Sequence, residues 1–90
     1  MIVVVMAFSS ETKTLIGTPE IVTRGFIYVK EAEELIEELM RVTYESVDAC
    51  EAQNITDYAA IKSRVKSNIS GYIYKTTRRS PMILPVITEV

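Results

Sequence analysis

Glu33, Glu34, Glu37 and Glu38 recur at i, i+3 and i+4 spacing, which on a helix gathers carboxylates on one face. Such a cluster could hold a hard cation through oxygen ligands or pair a general acid with a base. The same spacing describes an ordinary solvated helix face, and that is the better reading. The chain has no histidine and a single cysteine, Cys50. An imidazole base, a His/Cys zinc site and an intrachain disulfide are therefore excluded. Cys50 falls on an apolar helical stripe with nothing to activate its thiol, so it reads as a structural core residue. Asn54-Ile55-Thr56 and Asn68-Ile69-Ser70 match the glycosylation triplet but fit better as a loop with its helix cap and as a helix segment. The three glycines make no phosphate-cradling loop. No nucleophile, base and oxyanion donor come together, and no catalytic or metal-binding residue is assigned.

Charge offers a different chemistry. Residues 1–61 carry 4 basic and 11 acidic groups, a net of −7, whereas residues 62–90 carry 6 basic groups against Glu89, a net of +5. Lys62, Lys66, Lys75, Arg78 and Arg79, with Tyr74 off the apolar stripe, could contact phosphates and stack a base. The competing reading pairs these cations with the acidic preceding helix. In a chain of net charge −2 with no RNA-binding signature, the pairing reading is preferred.

The elements that must position these groups follow from periodicity. Ninety residues, 48% apolar and 24% charged, suit one small domain over residues 1–90 and rule out a disordered tail. The apolar run Ile2–Phe8 is far short of the roughly 20 residues that cross a bilayer. It also lacks the basic leader and cleavage site of a signal peptide, so a cytoplasmic setting is expected. That run is β-branched and reads as a first strand. After a polar turn at Ser9–Lys13, Thr14-Leu15-Ile16 starts a second, antiparallel strand. Gly17 and Pro19 interrupt it, Ile21-Val22-Thr23 resumes it, and Phe26–Val29 is again extended, with a bulge or corner at Gly17 or Gly25. Leu35, Ile36, Leu39, Met40, Thr43, Val47 and Cys50 then repeat at helical spacing. Gln53–Ile55 breaks that helix. Thr56 is the expected N-cap of a second, with Tyr58, Ile61, Val65, Ile69 and Tyr72 on one stripe. Pro81 bars its continuation, and Met82–Ile87 is a last strand whose Pro85 suits a sheet edge or a bulge. The expectation is an α+β fold of order β-β-α-α-β: a mixed three-stranded sheet, order 2-1-3, with both helices on one face.

Two helices cover one face of such a sheet, yet the first and last strands are apolar at nearly every position. Alternate side chains point to opposite faces. One set must therefore meet water, a partner, or the segment Thr18–Gly25 folded over it. An exposed set would make a patch of roughly several hundred Å², the size that marks interaction surfaces. Val3, Val5, Ile83, Val86 and Ile87 are the interface candidates, and burial by a partner is preferred to coverage by the chain itself.

Two stretches carry a family resemblance. Pro19-Glu20-Ile21-Val22-Thr23-Arg24-Gly25-Phe26-Ile27-Tyr28-Val29, leading into Glu33-Glu34-Leu35-Ile36, resembles the segment "PDIISRGFVYVRESEELI" of bacterial ribonuclease J. Thr77-Arg78-Arg79-Ser80-Pro81-Met82-Ile83-Leu84-Pro85-Val86-Ile87-Thr88-Glu89-Val90 resembles that family's "KRRPMILPVIMEV" terminus. The resemblance, to the C-terminal domain of these enzymes, covers essentially the whole chain. It implies a parent enzyme with a metallo-β-lactamase domain and a β-CASP domain, which binds two zinc ions and cuts RNA internally or from the 5′ end. The zinc ligands of that family lie in catalytic-domain His/Asp motifs that have no counterpart here, so no cofactor is expected in this chain. The resemblance also implies a non-catalytic role in dimerisation and full activity, with a second copy and the catalytic domains as partners. Where the family has serine, this chain has Ala32, a lost N-cap worth about 1 kcal/mol; Ser80 departs from the usual Arg-Arg-Pro. A module that contacts RNA is the alternative, and a stand-alone carboxylate-metal enzyme a weaker third.

Overall fold

A computed structural model describes residues 1–25 and 29–90, with the side chains of 29–32 outside that description. The elements are β1 (Ile2–Phe8), β2 (Leu15–Thr23), α1 (Val29–Ala52), α2 (Tyr58–Thr77) and β3 (Ile83–Glu89). The sheet has the order β2-β1-β3, with β1 antiparallel to β2 and parallel to β3. Element order, sheet order and class agree with the expectation from the sequence. The expected extended run Phe26–Val29 lies, for residues 26–28, outside the described residues; Val29 is already helical. Ala32 thus sits inside α1 rather than ahead of it.

β2 is one continuous strand, interrupted by a bulge. Val5 pairs with Glu20 and Ala7 with Ile16, so Gly17, Thr18 and Pro19 together oppose the single residue Met6. Gly17 has φ +67°, a conformation glycine adopts without a Cβ clash, which explains why the extra residues are accommodated there. At the other edge, Ile2 donates to the carbonyl of Met82 at 2.8 Å. Even-numbered residues of β3 therefore turn their backbone toward β1, and Pro85 falls on the free edge. Its missing N–H costs the ladder nothing there and denies a donor to any added strand.

The core lies between the sheet and the helices. Ile2, Val4, Met6 and Phe8 of β1 pack with Leu35, Leu39, Val42, Val47 and Cys50 of α1 and with Ile61, Val65, Ile69 and Ile73 of α2. Phe8 meets Tyr58 in a tilted ring contact, centroids 5.5 Å apart. Ile73, rather than Tyr72, completes the fully buried stripe of α2; Tyr72 packs at its margin. The two buried polar residues, Thr43 and Ser46, satisfy their hydroxyls on the carbonyls of Leu39 and Val42 at 2.8 and 2.7 Å. Ser46 also accepts a hydrogen bond from Asn68 Nδ2 at 2.8 Å, which ties α1 to α2.

The helix ends correct one expectation. α1 closes with Asn54 in the left-handed region (φ 57°) and the Ile55 N–H bonded back to the Cys50 carbonyl at 2.8 Å, a Schellman-type stop. The N-cap of α2 is Asp57, not Thr56: Asp57 is extended (φ −74°, ψ 118°) and its carboxylate accepts from the Ala59 N–H at 3.3 Å. A carboxylate is at least as good an acceptor there as a hydroxyl and adds favourable charge at the positive helix end.

Candidate interaction surfaces

The strand register decides which side chains share the helix-free face. Pairing places Val3 beside Val22 and Leu84, Val5 beside Glu20 and Val86, and Ala7 beside Ile16 and Thr88. Leu84 is 46% exposed and Ile16 44%, and Met82, just before β3, is 68% exposed. Val3, Val5, Ala7, Val22 and Val86 are half-buried. Val3, Val5, Val22, Leu84 and Val86 thus make a continuous aliphatic surface, bordered by Glu20 beside Val5 on the β2 side and by Thr88 beside Ala7. Residues 18–23 do not roof it, because they belong to β2 and lie within the sheet.

Three of the five interface candidates, Val3, Val5 and Val86, stand on that face. The other two do not. Ile83 is 3% exposed and belongs to the core, and Ile87 pairs with Met6 and packs against the same core. Parity explains the error: β3 enters the sheet with Ile83 opposite Ile2, so odd-numbered residues of β3 turn inward. The residues missed, Leu84, Val22 and Ile16, could have been found only from the register, since an aliphatic run carries no mark of which parity faces the helices.

The basic groups of α2 are arranged differently from the preferred sequence reading. Among the described residues the ion pairs are Lys13–Glu89 at 3.1 Å, Arg41–Glu38 at 2.6 Å and Arg41–Glu45. None joins α2 to α1. The acidic face of α1 engages its own Arg41, while Glu33, Glu34 and Glu37 are exposed. Lys62 and Lys66 lie on the opposite flank of the buried stripe from Asn68, the residue that contacts α1, so they point away from the glutamates. Tyr74 is 51% exposed, and the Arg78 guanidinium sits 5.7 Å from its ring centroid. Lys75 occupies the last turn of α2, where a cation suits the negative helix end. Arg79 is exposed, with its N–H bonded to Thr77 Oγ1 at 3.2 Å.

A third cluster fastens the end of β3. Tyr58 donates to Glu89 Oε2 at 2.7 Å, Lys13 donates to the same oxygen at 3.1 Å, and the Lys13 ammonium lies 5.3 Å from the Tyr58 ring centroid. The Tyr58 hydroxyl and then the ammonium hold the Glu89 carboxyl below the usual carboxylate range. Bonding to Glu89 in turn raises the Tyr58 phenol and the Lys13 ammonium. This joins the β1–β2 turn, α2 and β3 as a structural clasp.

Among the described residues no three His, Cys, Asp or Glu side chains are grouped to hold a metal ion, and Cys50 is buried and unbridged. No helix of the described residues is long and apolar enough to cross a membrane.

Comparison with known proteins places the chain in a family. Ribonuclease J2 of Bacillus subtilis is 35% identical over 91 residues, a match that covers 100% of this chain and 16% of that protein. Ribonuclease J 2 of Staphylococcus aureus is 33% identical over 88 residues, covering 98% of this chain and again 16% of the relative. The chain therefore spans 16% of the length of the curated relatives it matches. The family model for the ribonuclease J C-terminal domain matches residues 1–90. With a full-length family match and the sheet order its strand pattern requires, the chain belongs to the ribonuclease J C-terminal domain family.

Proposed function

We propose that this domain is a non-catalytic assembly module of a ribonuclease J-type, zinc-dependent RNA-degrading enzyme, and that it joins two copies of the chain through the helix-free sheet face. One observation supports the reading: the aliphatic surface Val3-Val5-Val22-Leu84-Val86 is continuous across all three strands and, among the described residues, lies on the face opposite the core shared with both helices. Edge-to-edge pairing is the weaker route, because Pro85 denies a donor on the free side of β3 and the Gly17–Pro19 bulge distorts β2. A second copy is the occupant chosen because the face is almost free of charge, while the rest of the surface is strongly patterned by it. Apposing two such faces about a two-fold axis places aliphatic against aliphatic, with each Glu20 carboxylate at the β2 side of the surface. Hydrolysis and its metal ions belong to catalytic domains outside these ninety residues; the module contributes by holding two such units together.

Sedimentation equilibrium of the chain tests this. A monomer–dimer equilibrium is expected, with dimer formation weakened at least about tenfold by Val5→Glu, since a carboxylate would be desolvated in the interface. A monomer at all concentrations, or a dimer indifferent to Val5→Glu, would refute it.

A further inference from the structure

Lys62, Lys66, Ser70, Tyr74 and Arg78 follow one another at four-residue steps along α2, each about 6 Å further along the axis. They form one i, i+4 row, a ridge that winds from the flank of the buried stripe, where Lys62 and Ser70 are half-buried, out to exposed Lys66, Tyr74 and Arg78: two cations, a hydroxyl, an exposed aromatic face and a third cation. Among the described residues neither Lys62 nor Lys66 has an ion-pair partner, so these charges are not spent on the fold. The end of the ridge is built in an unexpected way. Arg78 is the C-cap of α2, left-handed at φ 62°, with its N–H bonded to the Tyr74 carbonyl at 2.8 Å. Glycine makes this turn without a Cβ clash and is the usual occupant. The arginine contributes nothing to the cap that glycine would not, but the cap brings its guanidinium over the Tyr74 ring.

We infer that the Lys62–Lys66–Tyr74–Arg78 ridge is a contact site for single-stranded RNA, in which the lysines take backbone phosphates and Tyr74, backed by Arg78, stacks a base. The exposed ring distinguishes this partner from an acidic protein surface. Acidic peptide would use the cations and leave the tyrosine idle, whereas a single strand offers a π-face and a phosphate within one nucleotide. The helix that carries the ridge packs on the opposite face of the sheet from the aliphatic surface, so a dimer formed through that surface leaves Lys66, Tyr74 and Arg78 open.

Fluorescence anisotropy of the chain with a labelled 20-nucleotide oligouridylate, titrated from low to moderate salt, tests the inference. Binding is expected to weaken steeply with salt. Lys62→Gln with Lys66→Gln should lower the log–log salt slope by about 1.4, the contribution of two phosphate contacts on a single strand. Tyr74→Leu should weaken binding about tenfold without changing the slope. Arg78→Gly should also weaken binding while leaving the melting temperature unchanged or raised, which a purely structural role for Arg78 would not do. Val5→Glu, which tests the sheet face, should leave RNA binding intact, so the two proposals fail separately. Absence of binding at low salt would overturn the inference. So would binding indifferent to Tyr74→Leu, or equal affinity for polyglutamate, which would mark the ridge as a surface for acidic protein instead.

Discussion

β1 presents two faces of nearly the same composition with opposite fates. Ile2, Val4, Met6 and Phe8 are wholly buried against α1 and α2, while Val3, Val5 and Ala7, on the other side of the same seven residues, are half-buried. The first set stabilises the monomer. The second is as apolar but finds no cover within the described part of the chain, and in the proposed assembly its burial is realised on association. Apolarity on both faces of a strand in a one-sided α+β sheet is therefore a statement about a partner as well as about the core.

Introducing the same charge on each face separates them most sharply. Val4→Glu would bury an unpaired carboxylate in the core between the sheet and the helices and should cost more than about 4 kcal/mol, comparable to the stability of a domain this size; circular dichroism should show an unfolded chain. Val5→Glu, one residue away, should fold with a loss of about 1 kcal/mol or less. Equal losses at the two sites would break the distinction. Next in size, Phe8→Ala removes the largest buried β1 side chain together with its Tyr58 contact and should cost about 3–5 kcal/mol by urea denaturation, with the midpoint shifted and the slope retained. Asp57→Ala should cost about 1 kcal/mol while Thr56→Ala costs little, because only Asp57 caps α2.

The smallest effect concerns the clasp at the end of β3. Glu89 has its carboxyl pKa lowered in the fold, first by the Tyr58 hydroxyl and then by Lys13. Its contribution is therefore present in full above the ordinary glutamate value near about 4.3 and is lost as pH falls through the lowered, folded value. The group is fully exposed, so the effect is small. Thermal melts between pH 3 and pH 6 should show a slightly shallower decline for Glu89→Gln than for the parent chain, and an identical decline would remove the clasp from the account.

Most of the fold was legible because hydrophobic period and punctuation agreed. The aliphatic run Ile2–Phe8, the helical repeat from Leu35 to Cys50, the break at Asn54 and the halt before Pro81 each point to one structure, and a chain of two strands, two helices and a strand leaves few ways to assemble. What remained hidden had physical reasons. Ile83 and Leu84 are adjacent aliphatics, and only the pairing with Ile2 and Val3 says which of them turns inward. Thr56 and Asp57 are both capable caps, and the choice rests on backbone angles one residue apart. The basic groups of α2 were expected to meet the glutamates of α1. Helix rotation, fixed by Asn68 on Ser46 and by the Ile61–Ile73 stripe, turns Lys62 and Lys66 away instead. The family resemblance supplied what periodicity could not, namely the ribonuclease J C-terminal domain family to which the chain belongs.

The central claim is that the odd-numbered face of β1 and its neighbours is covered by a second copy of the chain. Leu84→Cys places a thiol at the centre of that face, and the native Cys50 is buried and silent. Its rate of maleimide labelling, measured across a range of chain concentrations, reports coverage directly. The rate should fall severalfold as concentration rises, while a control thiol at exposed Ser63 reacts at a constant rate. A Leu84→Cys rate that does not change with concentration, and matches the control throughout, would contradict the account.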